Sequence, residues 1–145
     1  MEKGNRGIEH SNMYLEIEVV KENPLLIDKE KQVLYKVPVR NWMKNLYGSI
    51  AGGVVLMMLQ RFATITIQAF DPQMRPSHSV EFNTTFIDGV RPDAKYIYCL
   101  VSNDKLDKNI AFTQSKIYDD KMRCCMVARN LRTFESDVIS TSAKL

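Results

Sequence analysis

The chain has 145 residues, 45% hydrophobic and 26% charged, with a formal net charge of +3. That suffices for one domain with a buried core and no disulfide staples, and it excludes a disordered or fibrous chain. A charge so close to zero also lacks the basic excess of a nucleic-acid binder, so no nucleic-acid partner is expected.

The amino-terminal stretch, residues 1–13, mixes Glu2, Lys3, Arg6 and Glu9 with glycine. It carries no apolar run and reads as neither a secretory signal nor an arginine-rich transit peptide. The first two strands are expected at Tyr14 to Val20, where apolar and polar residues alternate, and at Gln32 to Val39, which is β-branched and ends near Pro38. A long helix follows from Ala51 to about Ala69. Val54, Val55, Leu56, Met57, Met58 and Leu59 face nearly every direction around its axis, so it is expected to be enclosed on all sides. Four more strands are expected at Ser79 to Ile87, Tyr96 to Val101, Ala111 to Tyr118 and Arg123 to Leu131. Turns are signalled at Asp88-Gly89, Asn103-Asp104 and Asp119-Asp120. Residues 135–145 are polar and, like residues 1–13, are expected to be flexible ends. The expectation is a single α+β domain over residues 14–134, built on an antiparallel sheet of five or six strands wrapped around one helix.

Ile50 to Phe70 is long and apolar enough to suggest a membrane span. Gln60 and Arg61 at its centre argue against that, because a central arginine costs about 2.5–3.5 kcal/mol on insertion. No membrane span is expected. Cys99, Cys124 and Cys125 are odd in number and two are adjacent. They form neither a disulfide framework nor a zinc spacing, so reduced thiols, no metal and a cytoplasmic location are expected, with an organelle left open.

The order strand, strand, enclosed helix and strand meander resembles the hotdog fold, and the local sequence carries the resemblance further. Asn45-Leu46-Tyr47-Gly48-Ser49-Ile50-Ala51-Gly52-Gly53 is similar to the loop-to-helix signature of phenylacetate-pathway and mammalian-type acyl-CoA thioesterases. That signature runs asparagine, two residues, glycine, two residues, histidine, glycine, glycine. Ser79 to Asn83, Ala111-Phe112 and Ile117 to Asp120 resemble the family's later strands.

The glycine pair has a physical rationale of its own. The first N–H groups of a helix lack internal acceptors, and glycine lets a carbonyl come close to them. Gly52 and Gly53 can therefore stabilise the oxyanion of an attacked thioester, although close helix-to-sheet packing also favours glycine. The resemblance implies that Asn45 orients the thioester or the attacking water; a turn-capping amide is the plainer reading. Two departures from the signature matter. Ala51 stands in place of the histidine, and Gln60 in place of the helix carboxylate. A neutral amide cannot act as base or nucleophile. Thr64, one turn on, can at most help Gln60 hold a water.

Alternation puts Ser79, Glu81 and Asn83 on one strand face, with Glu81 and Asp88 as further carboxylates. His10 and His78 are the only histidines, and His78, just before the strand, is read as a surface residue; Met57, Met58 and Leu59 are read as core or acyl-tunnel lining. The resemblance places coenzyme A contacts around Ser79, Glu81, Phe86, Arg91, Lys105 and Lys108, with Arg132 near the last strand as a further cation. It also implies an active site shared between subunits of a homodimer or a dimer of dimers. Coenzyme A enters as part of the substrate, with no separate cofactor. Two functions follow: hydrolysis of acyl-CoA, or binding of acyl-CoA without turnover. A ligand-free oligomeric scaffold is the third.

Overall fold

A computed structural model describes residues 15–20 and 31–134; Tyr14, His10 and both chain ends lie outside the described residues. Among the described residues six strands form one antiparallel sheet: β1 (Glu18–Val19), β2 (Gln32–Pro38), β3 (Ser77–Phe86), β4 (Tyr96–Leu106), β5 (Ile110–Asp119) and β6 (Cys124–Phe134). Their spatial order is β1-β2-β4-β5-β6-β3. One helix, α1 (Gly52–Phe70), enters between β2 and β3, and a short 3-10 turn (Asn41–Met43) leads into it. The α+β expectation, one helix against an antiparallel sheet, describes the molecule.

Local chemistry sets the helix boundaries. Ala51 is extended (φ −62°, ψ 136°) and caps α1 without a side-chain hydrogen bond. At the other end Asp71 precedes Pro72, whose ring disfavours helical geometry in the residue before it, and Asp71 is extended (ψ 115°). The Asp71 carboxylate accepts hydrogen bonds from the backbone N–H groups of Gln73 and Arg75, which turns the chain back toward β3.

The helix rests on the sheet along Val55, Met58, Leu59, Phe62, Ala63, Thr66 and Ile67. Phe62 is fully buried and stacks on Tyr35 at 4.6 Å, and the Tyr35 hydroxyl lies 2.8 Å from Thr66 Oγ1. Most of the core joins this face of α1 to Val37, Ile97, Cys99, Val101, Ile117, Cys125, Met126 and Ala128. A smaller cluster of Ile67, Ala111 and Phe134 lies beyond it.

Three expectations are corrected. The helix is not enclosed all round: Gly53, Met57, Arg61, Ile65 and Ala69, each four residues from the last, form an exposed stripe. A single sheet covers one side of a helix, so the opposite side of an isolated chain faces outward whatever its composition. Met58 and Leu59 are core, whereas Met57 lies on the open stripe. The expected turn at Asn103-Asp104 is strand. A bulge between Asn103 and Lys105 absorbs Asp104, and β4 continues to Leu106 with the Asn103 side chain buried. Finally, among the described residues the first strand is in register with β2 at Glu18 and Val19, and Val20 N–H donates to the Leu34 carbonyl at 2.9 Å. Ile17 and Val19 are exposed, whereas Leu15, of the same alternating set, packs against the core.

Truncating Phe62 removes the central ring of the helix–sheet contact. Phe62→Ala is expected to destabilise the fold by about 3–5 kcal/mol, read as a lower urea midpoint.

Candidate functional site

The loop before α1 is held from both sides. Lys44 pairs with Ile50 as an isolated bridge, and Ala51 N–H donates to the Met43 carbonyl at 2.8 Å. Asn45 Oδ1 accepts from Tyr47 N–H (2.9 Å) and Ser49 N–H (3.2 Å). Its oxygen is therefore committed to the turn, and only its amino group is left for a ligand. Gly48 has φ +80°, and a Cβ there would sit 3.1 Å from Pro92 Cβ, so this position excludes side chains twice over.

At the helix start, Val54 and Val55 N–H both return to the Ala51 carbonyl. Gly52 and Gly53 N–H then have no acceptor among the described residues, at the positive end of the helix dipole. A Cβ on Gly53 would meet nothing within 4 Å, whereas one on Gly52 would touch the Phe86 ring at 3.5 Å. Phe86 thus lines one side of the amide pair and Gly53 leaves the other side open.

Two turns along the helix, Gln60 meets Arg132 of β6. Arg132 Nη1 donates to Gln60 Oε1 at 3.3 Å, Nε to Ser77 Oγ at 2.9 Å and Nη2 to the Ser77 carbonyl at 2.9 Å. A guanidinium can only donate, so this contact assigns the amide: the oxygen faces Arg132 and the NH₂ group is free to turn outward. Gln60 therefore offers donors to its surroundings where the resembling enzymes have a carboxylate. Thr64 Oγ1 donates to the Gln60 carbonyl at 3.0 Å, which spends its proton within the helix. Gln60 and Thr64, with Met57, Arg61 and Ile65, line a hollow of about 600 Å³ along the open stripe.

Arg132 is only 5% exposed, and none of the described carboxylates pairs with it. Burial alone pulls its guanidinium below the ordinary arginine value. A buried arginine without a counter-charge is uncommon, because desolvating the ion is expensive. Beside it on the helix-facing side, register places Asn130 against Thr113 and Thr113 against Asn103. All three are at least 98% buried. Asn130 Oδ1 accepts from Ser79 Oγ at 2.5 Å, but Asn130 Nδ2, Thr113 Oγ1 and both polar atoms of the Asn103 side chain lack partners. Each such atom costs about 1–3 kcal/mol. This polar row lies between the two hydrophobic clusters. Its sequence signal was available: Asn130 and Arg132 share the parity of the apolar Met126 and Ala128.

The other candidates disperse. A bulge between Ser79 and Glu81 reverses the strand's parity, so Ser79 faces the helix side with Arg132 while Glu81 and Asn83 face outward. The shared face expected from alternation is therefore corrected. Glu81 and Asn83 line a separate hollow of about 440 Å³ on the outer sheet surface with Thr85 and Arg129, remote from the helix. Arg91 is tied to Asp93, Asp119 and Asp120, and Lys105 to Asp107 at 3.5 Å. Asp88 pairs with Arg123. Lys108 belongs to the β4–β5 turn, where its carbonyl accepts from Arg75. That turn packs near the carboxyl end of α1, away from the glycine pair. His78 is exposed on β3.

Gly52 and Gln60 of one chain are about 12 Å apart along the helix axis at 1.5 Å per residue. Reacting groups must come within about 3–3.5 Å of one another. That axial separation exceeds direct contact, so Gln60 of the same chain reaches a carbon at Gly52 only through its side chain and a bridging water.

The backbone architecture is shared with solved thioesterases. Zebra fish thioesterase superfamily member 2 superposes with a TM-score of 0.70 at 18% identity, covering 82% of this chain and 81% of that one. A Haemophilus influenzae thioesterase gives 0.71 at 17% identity, covering 92% and 85%. A hypothetical thioesterase from Streptococcus pneumoniae, solved with coenzyme A, gives 0.70 at 12% identity, covering 83% and 87%. No family profile matches the sequence, and no curated protein matches it. The chain has the hotdog fold of the thioesterase superfamily structures.

The Arg91 network gives a pH-dependent stability. Burial pushes the buried Asp119 carboxyl up, but N–H donors from Arg123 and Lys121 and the Arg91 and Arg123 guanidiniums outweigh it, and its net shift is downward. A depressed carboxylate stabilises the fold above its unfolded value, about 4, and that contribution disappears as pH falls through the folded value. Asp119→Asn is therefore expected to be less stable than the parent at pH 7. Its urea midpoint should also fall less steeply on acidification below about pH 4.

Proposed function

We infer that the chain binds acyl-CoA thioesters in a thioesterase-like cleft, and that it stabilises the thioester oxyanion better than it activates water. The observation that carries this reading is the pair of unpaired N–H groups on Gly52 and Gly53, opening the central helix of this fold. The Streptococcus pneumoniae structure with coenzyme A supports the choice of ligand class. Two donors aimed at a developing oxyanion contribute several kcal/mol to a hydrolytic barrier. A general base contributes a hundredfold to ten-thousandfold in rate, and Gln60 presents an amino group instead. Binding with slow turnover is the expected phenotype.

The cleft is completed by a second copy. The roughly 12 Å between Gly52 and Gln60 along one helix supports a reacting carbon near Gly52 being served by groups from a second copy. Among the described residues β3 is paired only with β6 and stands at one end of the strand order. Val80, Phe86 and Ile87 are more than half exposed near that edge, and Met57 and Ile65 add apolar surface on the helix stripe. Antiparallel pairing of two such faces would bring one copy's glycine pair toward the other's Gln60.

The test of the ligand reading is Gly52→Pro. Ala51 already has the extended conformation that precedes proline, and Gly52 is the first helical residue, where proline is tolerated. The substitution removes one oxyanion donor while the helix is retained. Hydrolysis of octanoyl-CoA, followed by thiol release, is expected to fall about a hundredfold to a thousandfold. Equal rates in parent and variant would exclude the glycine amides. For the assembly, sedimentation velocity is expected to show a dimer of the parent and a shift toward monomer in Val80→Lys. A monomeric parent would refute the shared cleft.

A further inference from the structure

The loop before α1 carries two large apolar side chains at its tip. Leu46 is 102% exposed and Tyr47 88%, more than any other large apolar residue described. The helix stripe meanwhile carries the hollow of about 600 Å³. Resting on the shared cleft inferred above, we propose that Leu46 and Tyr47 of one copy seat in the helix hollow of a second copy. The Tyr47 ring then covers the second copy's Arg61.

The tip is built as a preformed knob. Asn45 Oδ1 accepts from the N–H groups of Tyr47 and Ser49, Gly48 takes the turn at φ +80°, and Lys44 bridges to Ile50. A turn held at that many points loses little freedom on docking, which favours association. Adjacent apolar side chains held outward in this way mark an interaction surface, as scattered exposed residues do not. The tip is also uncharged from Asn45 to Ile50. The cation just before it, Lys44, is bonded to the Pro92 carbonyl at 3.2 Å.

The hollow has the matching character. Met57 and Ile65, 44% and 41% exposed, are its apolar walls. Its volume falls in the range that takes a drug-sized ligand, so two side chains fit. Arg61 is exposed and makes no hydrogen bond or ion pair among the described residues. A tyrosine face answers an unpaired guanidinium, and stacking leaves the N–H groups at the rim in water. The chain's own loop cannot supply that ring. Arg61 lies nine residues past Gly52, about 14 Å along the axis, and the loop lies beyond the helix start. A second copy can. With one copy's glycine pair directed toward the other's Gln60, the residues just before that pair come beside the other's Met57, Arg61 and Ile65. One twofold axis then places two knobs in two hollows, and the contact closes at a dimer. Met57 packs on the second copy's loop and lines no acyl tunnel. Gln60 and Thr64, half-buried at the margin of the hollow, are left to the cleft.

The experiment measures the dimer dissociation constant by sedimentation velocity over a concentration series, for the parent, Tyr47→Ala, Arg61→Ala and the double variant. Each single variant is expected to weaken the dimer about tenfold or more, because two copies of the contact are lost together. The double variant should be about as weak as the weaker single one, since both substitutions remove the same contact. Leu46→Asp, which sets a charge on the tip, is expected to shift the protein to monomer with its circular dichroism unchanged. A dimeric parent whose constant is unmoved by Leu46→Asp and Tyr47→Ala overturns the knob and leaves the shared cleft standing. Effects of Tyr47→Ala and Arg61→Ala that simply multiply in the double variant overturn the pairing of that ring with Arg61. A monomeric parent overturns the shared cleft and this proposal with it.

Discussion

Contact between one side of α1 and the sheet governs the rest of the molecule. Val55, Met58, Leu59, Phe62, Ala63, Thr66 and Ile67 are pinned against β2, β4, β5 and β6. That fixes which residues point the other way. Gly53, Met57, Arg61 and Ile65 must then face outward, and Gln60 falls at the border between the two sides. The same rotation aims the amino end of the helix at the loop from Asn45 to Ala51 and leaves Gly52 and Gly53 as its bare terminus.

The border position of Gln60 has a chemical consequence. A carboxylate there would neutralise Arg132 and could still reach the hollow, serving as ion-pair partner and base together. A carboxamide satisfies one N–H of Arg132 and turns its own donors outward, so the local field becomes positive on both sides. The polar row Asn103, Thr113 and Asn130 extends that character into the core and divides it into two hydrophobic clusters. A well-packed apolar row would have been more stable, since unpartnered buried polar atoms are penalised.

The cations assigned by analogy illustrate how strongly tertiary pairing overrides residue type. Arg91, at a position where resemblance implied a phosphate contact, is instead surrounded by Asp93, Asp119 and Asp120 and organises the turn after β5. Arg132, read as one more cation near the last strand, is buried and unpaired, which makes it the chemically informative one. Charge in a sequence counts residues; charge in a site depends on what has already been neutralised.

The amino-acid sequence by itself determined the secondary elements of the core, the antiparallel α+β class and the glycine-opened helix. Each of these follows from short-range periodicity or from capping chemistry that a few neighbouring residues settle. The helix limits came within one residue, because Ala51 and the Asp71-Pro72 pair are local signals. What only tertiary structure decided lies at longer range. The bulges at Ser79–Glu81 and Asn103–Lys105 arise from pairing with distant strands, and each reverses a parity that alternation alone would have continued. The meeting of Gln60 with Arg132, 72 residues apart in the chain, depends on where the sheet carries β6 beneath the helix. No local pattern encodes that juxtaposition.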